Sequence, residues 1–186
     1  MANEAKRSAE GVITIGSCTA YISEFDGAKL PETNTICTEN NRLAYIKGGA
    51  TITYTKESVE VSDDLGVIRK TSITSDGAKV KLGLIGWNGK TLEKLESTAR
   101  VSEASGIRTT KIGGIGNDNG KNYVLCLHHE DKADGDCWWL IAGKNTAGFE
   151  LAYAKDAETK VEPEFTAIAS DKEGTLITFL EEIQAS

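Results

Sequence analysis

Apolar and small polar residues alternate near the start of the chain, in the segment 11–25 (GVITIGSCTAYISEF). Many β-branched and aromatic residues with a period of two are typical of a half-buried β-strand. The alternation gives the strand two faces, with Ile13, Ile15 and Tyr21 on one and Val12, Cys18 and Ile22 on the other. The next segment, 26–41, contains Pro31 and many Asn and Thr residues. It is predicted to be a loop, with a short strand near Ile36 as an open alternative.

A long β-hairpin is predicted for the segment 48–87. Its first strand covers residues 50–62, the sequence DDLG supplies the turn, and VKLGLIG forms an apolar base that returns to the core. The distal half is too polar to be buried, so the hairpin 48–82 is predicted to project from the body. Its charged residues are Lys56, Glu57, Glu60, Asp63, Asp64, Arg69 and Lys70.

The apolar residues change phase within the first strand of this hairpin. Ile52 and Tyr54 fall on one face, whereas Val59 and Val61 fall on the other. A slip of one residue is what a β-bulge produces, because the bulge inserts one extra residue into a strand. The pattern therefore predicts a bulge in the first strand.

A short amphipathic helix is predicted for residues 88–98. Leu92, Leu95 and Ala99 recur at positions i, i+3 and i+7, which makes one narrow apolar stripe. Asn88 or Thr91 would cap the amino-terminal end. Because so short a helix is marginal in water, packing against a sheet must stabilise it.

Further strands follow the helix. Segment 100–122 begins as a strand and ends as a Gly/Asn loop, and YVLCLHHE and DCWWLIAG flank DKADG as a second hairpin. Segments 148–156 and 159–170 are predicted strands, with Pro163 at an edge or a bulge. DKEG forms a turn, and TLITFLEEI ends the chain as a strand. The pattern predicts one mainly β domain over residues 1–186: a β-sandwich or β-barrel with one short flanking α-helix and a long projecting β-hairpin.

Charge and composition limit the possible partners. A net charge of −7 and a pI of about 5.0 argue against a protein that binds nucleic acid by neutralising phosphates, but they do not exclude one past which DNA moves without sticking. The first residues, MANEAKRSAEG, lack the apolar region of a secretory signal, and no apolar run approaches the length of a membrane span. Without an export signal, the four cysteines are predicted to be free, buried thiols: Cys18, Cys37, Cys126 and Cys137.

The segment 126–139 (CLHHEDKADGDCWW) contains both histidines and two of the cysteines, and it is the candidate metal site. Cys126 and His128 lie two residues apart, so on a strand they share a face. With Cys137 they would supply three ligands to a zinc ion. The spacing matches no established zinc pattern, and we therefore favour a packed hairpin with no metal, with Cys126, His128 and Cys137 as the alternative.

The strand register decides between these two interpretations. A turn at residues 131–134 would place Cys137 opposite His128 and gather the three ligands. A two-residue turn at residues 134–135 would place Cys137 opposite Lys132 and separate them. Asp-Gly suits the second turn, but sequence alone leaves the register open.

Other motifs of catalysis or binding are incomplete. Ala133 and Gly135 stand where an EF-hand loop requires ligands, and Ile115 stands where a P-loop requires its first glycine. No Ser-His-Asp arrangement is evident, so neither an enzyme nor a bound cofactor is predicted. Trp138 and Trp139 should point to opposite faces of a strand, one of them into the core. If the other is exposed and anchors a sugar or a protein, the chain would be a soluble β-sandwich ligand-binding module.

The layout of the chain resembles that of bacteriophage major tail (tail tube) proteins. An amino-terminal strand precedes a long polar hairpin with an apolar base, and a GWNG turn then leads into one short helix. The ending, EPEFTAIASDKEGTLITFLEEI, contributes most to the resemblance. It contains a strand with Phe165, Ala167 and Ala169, a turn from Asp171 to Gly174, and a final strand.

The resemblance implies the tail-tube fold, which the tube proteins of type VI secretion and of contractile bacteriocins share. Six copies would form a ring, and stacked rings would form the conduit through which DNA enters the host. The charged residues of the projecting hairpin, Lys56, Glu57, Glu60, Asp63, Asp64, Arg69 and Lys70, then become candidates for the assembly interface. The implied partners are further copies of the chain, the tape measure, tail terminator and baseplate or tail-tip proteins, and DNA in passage. The implied location is the virion tail, assembled in the host bacterial cytoplasm, with no membrane contact. A tube protein of a bacteriocin or a secretion apparatus is the alternative.

Overall fold

The computed structural model of the protein describes residues 11, 13–151, 153, 155–156 and 158–183. Within them the chain is mainly β, as predicted. The elements in chain order are β1 (Thr19–Phe25), α1 (Thr33–Ile36), β2 (Arg42–Ser62), β3 (Arg69–Ile85), α2 (Gly89–Leu95), β4 (Arg100–Ala104), β5 (Ile107–Lys111), β6 (Asn122–His129), β7 (Cys137–Asn145), β8 (Glu164–Ala167) and β9 (Thr178–Glu181). Single turns of 3-10 helix occur at Glu39–Asn41 and Ile115–Asn117.

Six of the strands close into an antiparallel barrel. The hydrogen-bonded order is β6, β1, β2, β3, β8 and β7, and β7 pairs with β6 to complete the circle. The second half of β7 pairs with β8, and its first half pairs with β9. Of the two predicted architectures, the barrel is the one observed. Closure satisfies the backbone groups that an open sheet would leave at its edges.

The barrel interior is filled by apolar side chains from alternate strand positions. The buried side chains of this cluster are Ala20, Ile22, Leu43, Ala44, Val80, Leu82, Leu84, Leu95, Leu125, Leu127, Ile141, Val161 and Phe165. Leu95 comes from α2, so the helix adds to the core instead of standing apart. Removing these side chains from water is the main stabilising contribution to the fold, at about 1.5–3 kcal/mol for each large side chain.

A second apolar cluster lies on the outer face of β1, β6 and β7. Tyr21, Val124, Cys126 and Leu140 project outwards there, and the polar segment 26–41 covers them. Ile36 is fully buried in this cluster. The alternative of a strand near Ile36 is wrong, because the segment forms the four-residue helix α1 at this point. The described part of the chain therefore contains two short α-helices where one was predicted.

The first strand is shorter than the predicted segment 11–25. Residues 13–18 lie outside β1, and Ile13 and Ile15 are exposed. Gly11 and Gly16 both adopt positive φ, which interrupts an extended backbone. Within β1 the two predicted faces are confirmed: Ile22 packs inwards and Tyr21 packs outwards. Cys18, which directly precedes the strand, also packs inwards. Val12 lies outside the described residues.

The capped helix forms as predicted but ends at Leu95 instead of residue 98. The side-chain oxygen of Asn88 accepts hydrogen bonds from the backbone N–H groups of Lys90 and Thr91, and the Thr91 hydroxyl accepts one from the Asn88 N–H. This reciprocal capping box satisfies donors that the first turn leaves unpaired. Leu92 and Leu95 are both buried.

Segment 100–122 contains a hairpin that the sequence analysis missed. β4 and β5 pair in register around a two-residue turn, Ser105-Gly106, in which both residues have positive φ. Such a turn matches the twist of the flanking strands. The later strands are shorter than predicted: the described residues of segment 148–156 contribute one isolated bridge, from Leu151 to Val161. Pro163 directly precedes β8, and its carbonyl accepts a hydrogen bond from the Leu82 N–H.

Glu164 links β8 to β3 through two ion pairs, and these make the barrel sensitive to acid. Its carboxylate lies 2.7 Å from Lys79 Nζ and 3.0 Å from Lys81 Nζ, and the hydrogen bond from Lys79 lowers the pKa of Glu164. A lowered folded-state pKa stabilises the fold above the ordinary Glu value of about 4.3, and the gain is lost as the pH falls through the folded value. We expect Glu164→Gln to lower the Tm at about pH 7 and to match the parent at about pH 2.

The exposed Glu162 provides the matched control for this measurement, because it neighbours Glu164 in sequence and carries the same charge. Thermal unfolding followed by circular dichroism across this pH range would compare Glu162→Gln with Glu164→Gln. A Tm difference between Glu164→Gln and the parent that does not shrink in acid would contradict the assignment.

Candidate assembly surface

The distal part of the β2–β3 hairpin projects beyond the barrel. Every residue from 53 to 76 is exposed, whereas Ala78, Val80 and Leu82 are buried. We call residues 53–76 the arm. The strands remain paired as far as Ser62 and Arg69, which gives the arm a length of about 30 Å. Residues 48–52 and 77–82, which were predicted as part of the projecting hairpin, belong to the barrel wall.

A six-residue loop, 63–68, closes the arm. Asp63 organises it: its N–H donates to the carbonyl of Ile68, its carbonyl accepts from the N–H of Gly66, and its carboxylate accepts from the N–H of Ile68 at 2.8 Å. Gly66 has a φ of +67°, a conformation that glycine adopts without strain. The loop therefore has a defined shape set by hydrogen bonds within it.

The loop presents three large apolar side chains to solvent. Leu65 is 86% exposed, Val67 78% and Ile68 72%. We call these three residues the apolar tip. DDLG (63–66) was predicted to be the turn, and none of the three residues of the apolar tip was among the predicted interface residues. The signal that could have found it is the sequence LGVI, which is apolar between polar flanks and lies where no core is within reach.

Further apolar residues lie along the arm. Val59 and Val61 project from one face and Ile73 from the other, and all three are exposed. The hairpin has a bulge at the predicted position, but its extra residue is Thr74 in β3 instead of a residue of the first strand. It lies between the pairs of Glu57 with Ser75 and of Ser58 with Ile73. The Thr74 hydroxyl donates to the Glu57 carbonyl at 3.2 Å. Because β2 has no extra residue here, Ile52 and Tyr54 lie on one of its faces, and Val59 and Val61 lie on the other.

All seven charged interface candidates lie in the arm and are exposed. Several interact within the arm itself. Glu57 accepts a hydrogen bond from Ser75 at 2.8 Å, and Glu60 lies 3.7 Å from Arg69. Lys56 Nζ lies 5.5 Å from the ring centre of Tyr54. These contacts support the ribbon at its surface, where an exposed ion pair contributes at most about 1 kcal/mol.

The root of the arm is set by a glycine-rich irregularity in β2. Residues 47–49 lie opposite the single residue Gly83, and Gly48 and Gly49 both have positive φ. A Cβ on Gly83 would overlap the carbonyl oxygen of Lys47, so only glycine fits there without movement of the backbone. Nearer the arm, Tyr54 donates a hydrogen bond to Asp76 at 2.8 Å, which raises the pKa of Tyr54.

The candidate metal ligands do not converge. Cys126 lies opposite Leu140 and His128 lies opposite Trp138, so both face outwards, whereas Cys137 lies opposite His129 on the inner face. Both predicted registers, with Cys137 opposite His128 or opposite Lys132, are wrong. The physical cause is the same for each: the loop that joins the two strands is longer than either predicted turn. Among the residues that the structure describes, no group of three or more His, Cys, Asp or Glu side chains is arranged to hold a metal ion.

The loop between β6 and β7 covers residues 130–136 and is held by two aspartates. The carboxylate of Asp131 accepts from the N–H groups of Ala133 and Asp134, and the carboxylate of Asp136 accepts from the N–H of Asp131. Asp136 also lies 2.9 Å from Nε2 of His128. These bonds replace a tight Asp-Gly turn and shift the register by one residue from the arrangement that would gather the ligands.

The two tryptophans point to opposite faces of β7, as predicted, and neither is exposed. Trp138 stacks on His128 on the outer face, with ring centres 5.0 Å apart. Trp139 faces inwards, and its ring centre lies 4.5 Å from that of Phe179. It also lines a cavity of about 370 Å³ at one end of the barrel. The exposed anchor that the ligand-binding alternative requires is therefore not provided at either position.

Comparison with known proteins identified no family for the chain. No protein-family model matches the chain. No curated protein matches it in sequence. None of the helices that the structure describes has the length and apolar character of a membrane span.

Proposed function

We propose that the protein is a structural subunit that assembles with copies of itself, through the arm, into hexameric rings that stack as a bacteriophage tail tube. The observation that carries the proposal is the arm: residues 53–76 are all exposed, and three large apolar side chains project from its end. A subunit of an assembly needs a stable body and an exposed apolar surface that can bind another copy, and the barrel and the apolar tip provide these two features.

The arm needs a neighbour on energetic grounds. A two-stranded hairpin with no packed face is marginal in water, and the arm has no packed face of its own. Burying three large apolar side chains against another copy would contribute about 1.5–3 kcal/mol each. An exposed apolar cluster surrounded by charged residues, here including Asp63, Asp64, Arg69 and Lys70, is typical of a protein–protein contact.

The position of the arm favours a ring. The arm tip lies about 30 Å from the wall. Where the tip of one copy packs against the barrel of the next, the surface that receives it differs from the surface that offers it. Contacts of this head-to-tail kind close into rings when the rotation between copies is a whole fraction of a turn. The hexamer and the stacking of rings come from the resemblance to tail tube proteins.

The charge of the chain suits a conduit for DNA. A net charge of −7 per copy would repel phosphates along a lumen and keep the passing DNA from binding. In this proposal the tape measure, tail terminator and baseplate or tail-tip proteins are the other partners. The protein would be assembled in the host cytoplasm and located in the virion tail. The same geometry would serve the tube of a contractile bacteriocin or a secretion apparatus, which differs in its partners.

Electron microscopy tests the proposal directly. We expect the purified full chain to form rings or tubes in negative stain, at a protein concentration of about 100 µM if not lower, and to sediment as a species of about six copies. Self-association into rings is the predicted result. A particle that sediments as one copy throughout this concentration range, with no rings on the grid, would reject the proposal.

A further inference from the structure

Two cysteines that are distant in sequence meet on the outer face of the barrel. Cys37 directly follows α1, and Cys126 lies in the middle of β6, in the sheet wall. Their sulfur atoms are 3.7 Å apart, and both cysteines are free. Cys126 is fully buried, whereas Cys37, which belongs to the segment 26–41 that covers this part of the wall, is half-buried.

The two thiols are chemically unequal. The hydrogen bond from Cys126 lowers the pKa of Cys37, and the indole of Trp138 adds a smaller contribution in the same direction. The pKa of Cys126 is raised, first by its hydrogen bond to Cys37 and then by burial. A thiolate is the nucleophile in cysteine chemistry, so Cys37 is the residue that attacks an oxidant and Cys126 is the one that resolves the product.

We propose that Cys37 and Cys126 form an oxidation site that reacts with hydrogen peroxide and closes an intramolecular disulfide. In the first step the Cys37 thiolate attacks one peroxide oxygen, the O–O bond breaks, and sulfenic acid and hydroxide form. In the second step the Cys126 thiol attacks the sulfenic sulfur, the S–O bond breaks, and the thiol proton passes to the leaving hydroxyl, which departs as water. The hydroxide from the first step takes up the proton that Cys37 released when it ionised. Two thiols and one peroxide thus give one disulfide and two waters. The inference does not depend on the proposed assembly function.

The geometry allows the bond with a small movement. A disulfide requires sulfur atoms about 2.05 Å apart, so the pair must close by roughly 1.7 Å. Cys126 is fixed in the sheet, but Cys37 lies in the irregular segment just after α1, where a change of side-chain rotamer and a slight shift of the backbone are available. The product would attach the covering segment 26–41 covalently to the barrel wall.

The other two cysteines are poorly suited to this chemistry. Cys18 and Cys137 line the cavity at the end of the barrel, with the sheet wall between them and the Cys37–Cys126 pair. Burial raises the pKa of Cys18, which keeps it protonated and slow to react. Oxidation should therefore be selective for one pair out of the four thiols.

Intact-mass spectrometry of the folded full chain tests the site. After mild hydrogen peroxide treatment and denaturing alkylation, we expect two alkylated thiols instead of four, and a loss of about 2 Da before alkylation. The linked peptides should contain Cys37 and Cys126. The double variant Cys18→Ser/Cys137→Ser should still lose about 2 Da, whereas Cys37→Ser should not.

Thermal unfolding supplies a second measurement. The disulfide would close a loop between residues 89 positions apart, so the oxidised protein should melt roughly 5 °C or more above the reduced one. Peroxide treatment that adds oxygen atoms without removing two hydrogens, or that links a different pair of cysteines, would overturn the proposal. So would an unchanged thiol count under conditions that fully oxidise free cysteine.

Discussion

Replacing Leu65, Val67 and Ile68 with serine is expected to abolish assembly and leave the barrel intact. Each side chain is at least 72% exposed in the single chain, so its loss removes almost nothing from the monomer fold. At an interface, the three together would lose at least about 4.5 kcal/mol of apolar burial, which corresponds to an association weaker by more than about 1,000-fold. Sedimentation velocity and negative-stain microscopy measure the result, and circular dichroism should report an unchanged Tm.

The variant Ile107→Ser is the matched control for the apolar tip. Ile107 is also a large apolar residue, 67% exposed, but it lies in β5, outside the arm. It should assemble as the parent does. Rings formed by the triple variant at the parent concentration would show that the apolar tip does not carry the contact, even if the protein is a tube subunit by another surface.

The variant Gly143→Ala is expected to destabilise the barrel by about 3 kcal/mol, the upper range for overpacking a tightly packed site. Gly143 lies in β7 opposite Ala167 of β8. A Cβ there would overlap the carbonyl oxygen of Thr166 and lie 3.0 Å from its carbonyl carbon. These are backbone atoms of a four-residue strand that is paired on both sides, so they cannot move aside as a flexible side chain would.

Urea unfolding followed by circular dichroism measures this loss, which should also appear as a Tm lower by roughly 6–12 °C. Gly116→Ala is the control. No atom lies within 4 Å of the position where its Cβ would be, and its φ is outside the left-handed region, so its effect should stay within about 0.5 kcal/mol. Equal unfolding midpoints for the two variants would mean that β8 accommodates the added methyl group.

Features determined by neighbours in sequence were predictable. The β character, the projecting hairpin and the turn at residues 171–174 follow from alternation and turn residues. The Asn88 cap and the stripe containing Leu92 and Leu95 were also recovered, because a helix start depends on hydrogen bonds within one turn. Only the end of that helix was wrong, by three residues.

Features determined by distant contacts were not predictable. The β6–β7 hairpin was predicted, but closure of the barrel also requires β1 to pair with β6 and β8 to pair with both β3 and β7, and no local pattern specifies those partners. The register of β6 against β7 depends on Asp131 and Asp136, whose side chains lengthen the loop that a simple Asp-Gly turn would have kept short. A shift of one residue there moved Cys137 to the other face of the sheet, away from Cys126.

The position of the candidate assembly surface was predicted, but its apolar residues were not. Polarity located the arm, because a run that cannot be core must project. The same criterion selected charged residues such as Glu57 and Asp63, which bond within the arm, and passed over Leu65. An apolar residue at the end of a polar hairpin looks like a turn residue until the fold shows that nothing in its own chain can cover it.

The contrast between the closed barrel and the thin arm has a mechanical consequence. A wall of six strands around one packed core resists deformation, whereas a ribbon of two strands about 30 Å long bends and twists easily. In any structure built by joining such units through their arms, curvature would be absorbed by the ribbons and not by the bodies. Such an assembly would bend as a whole, whereas each barrel would keep its shape.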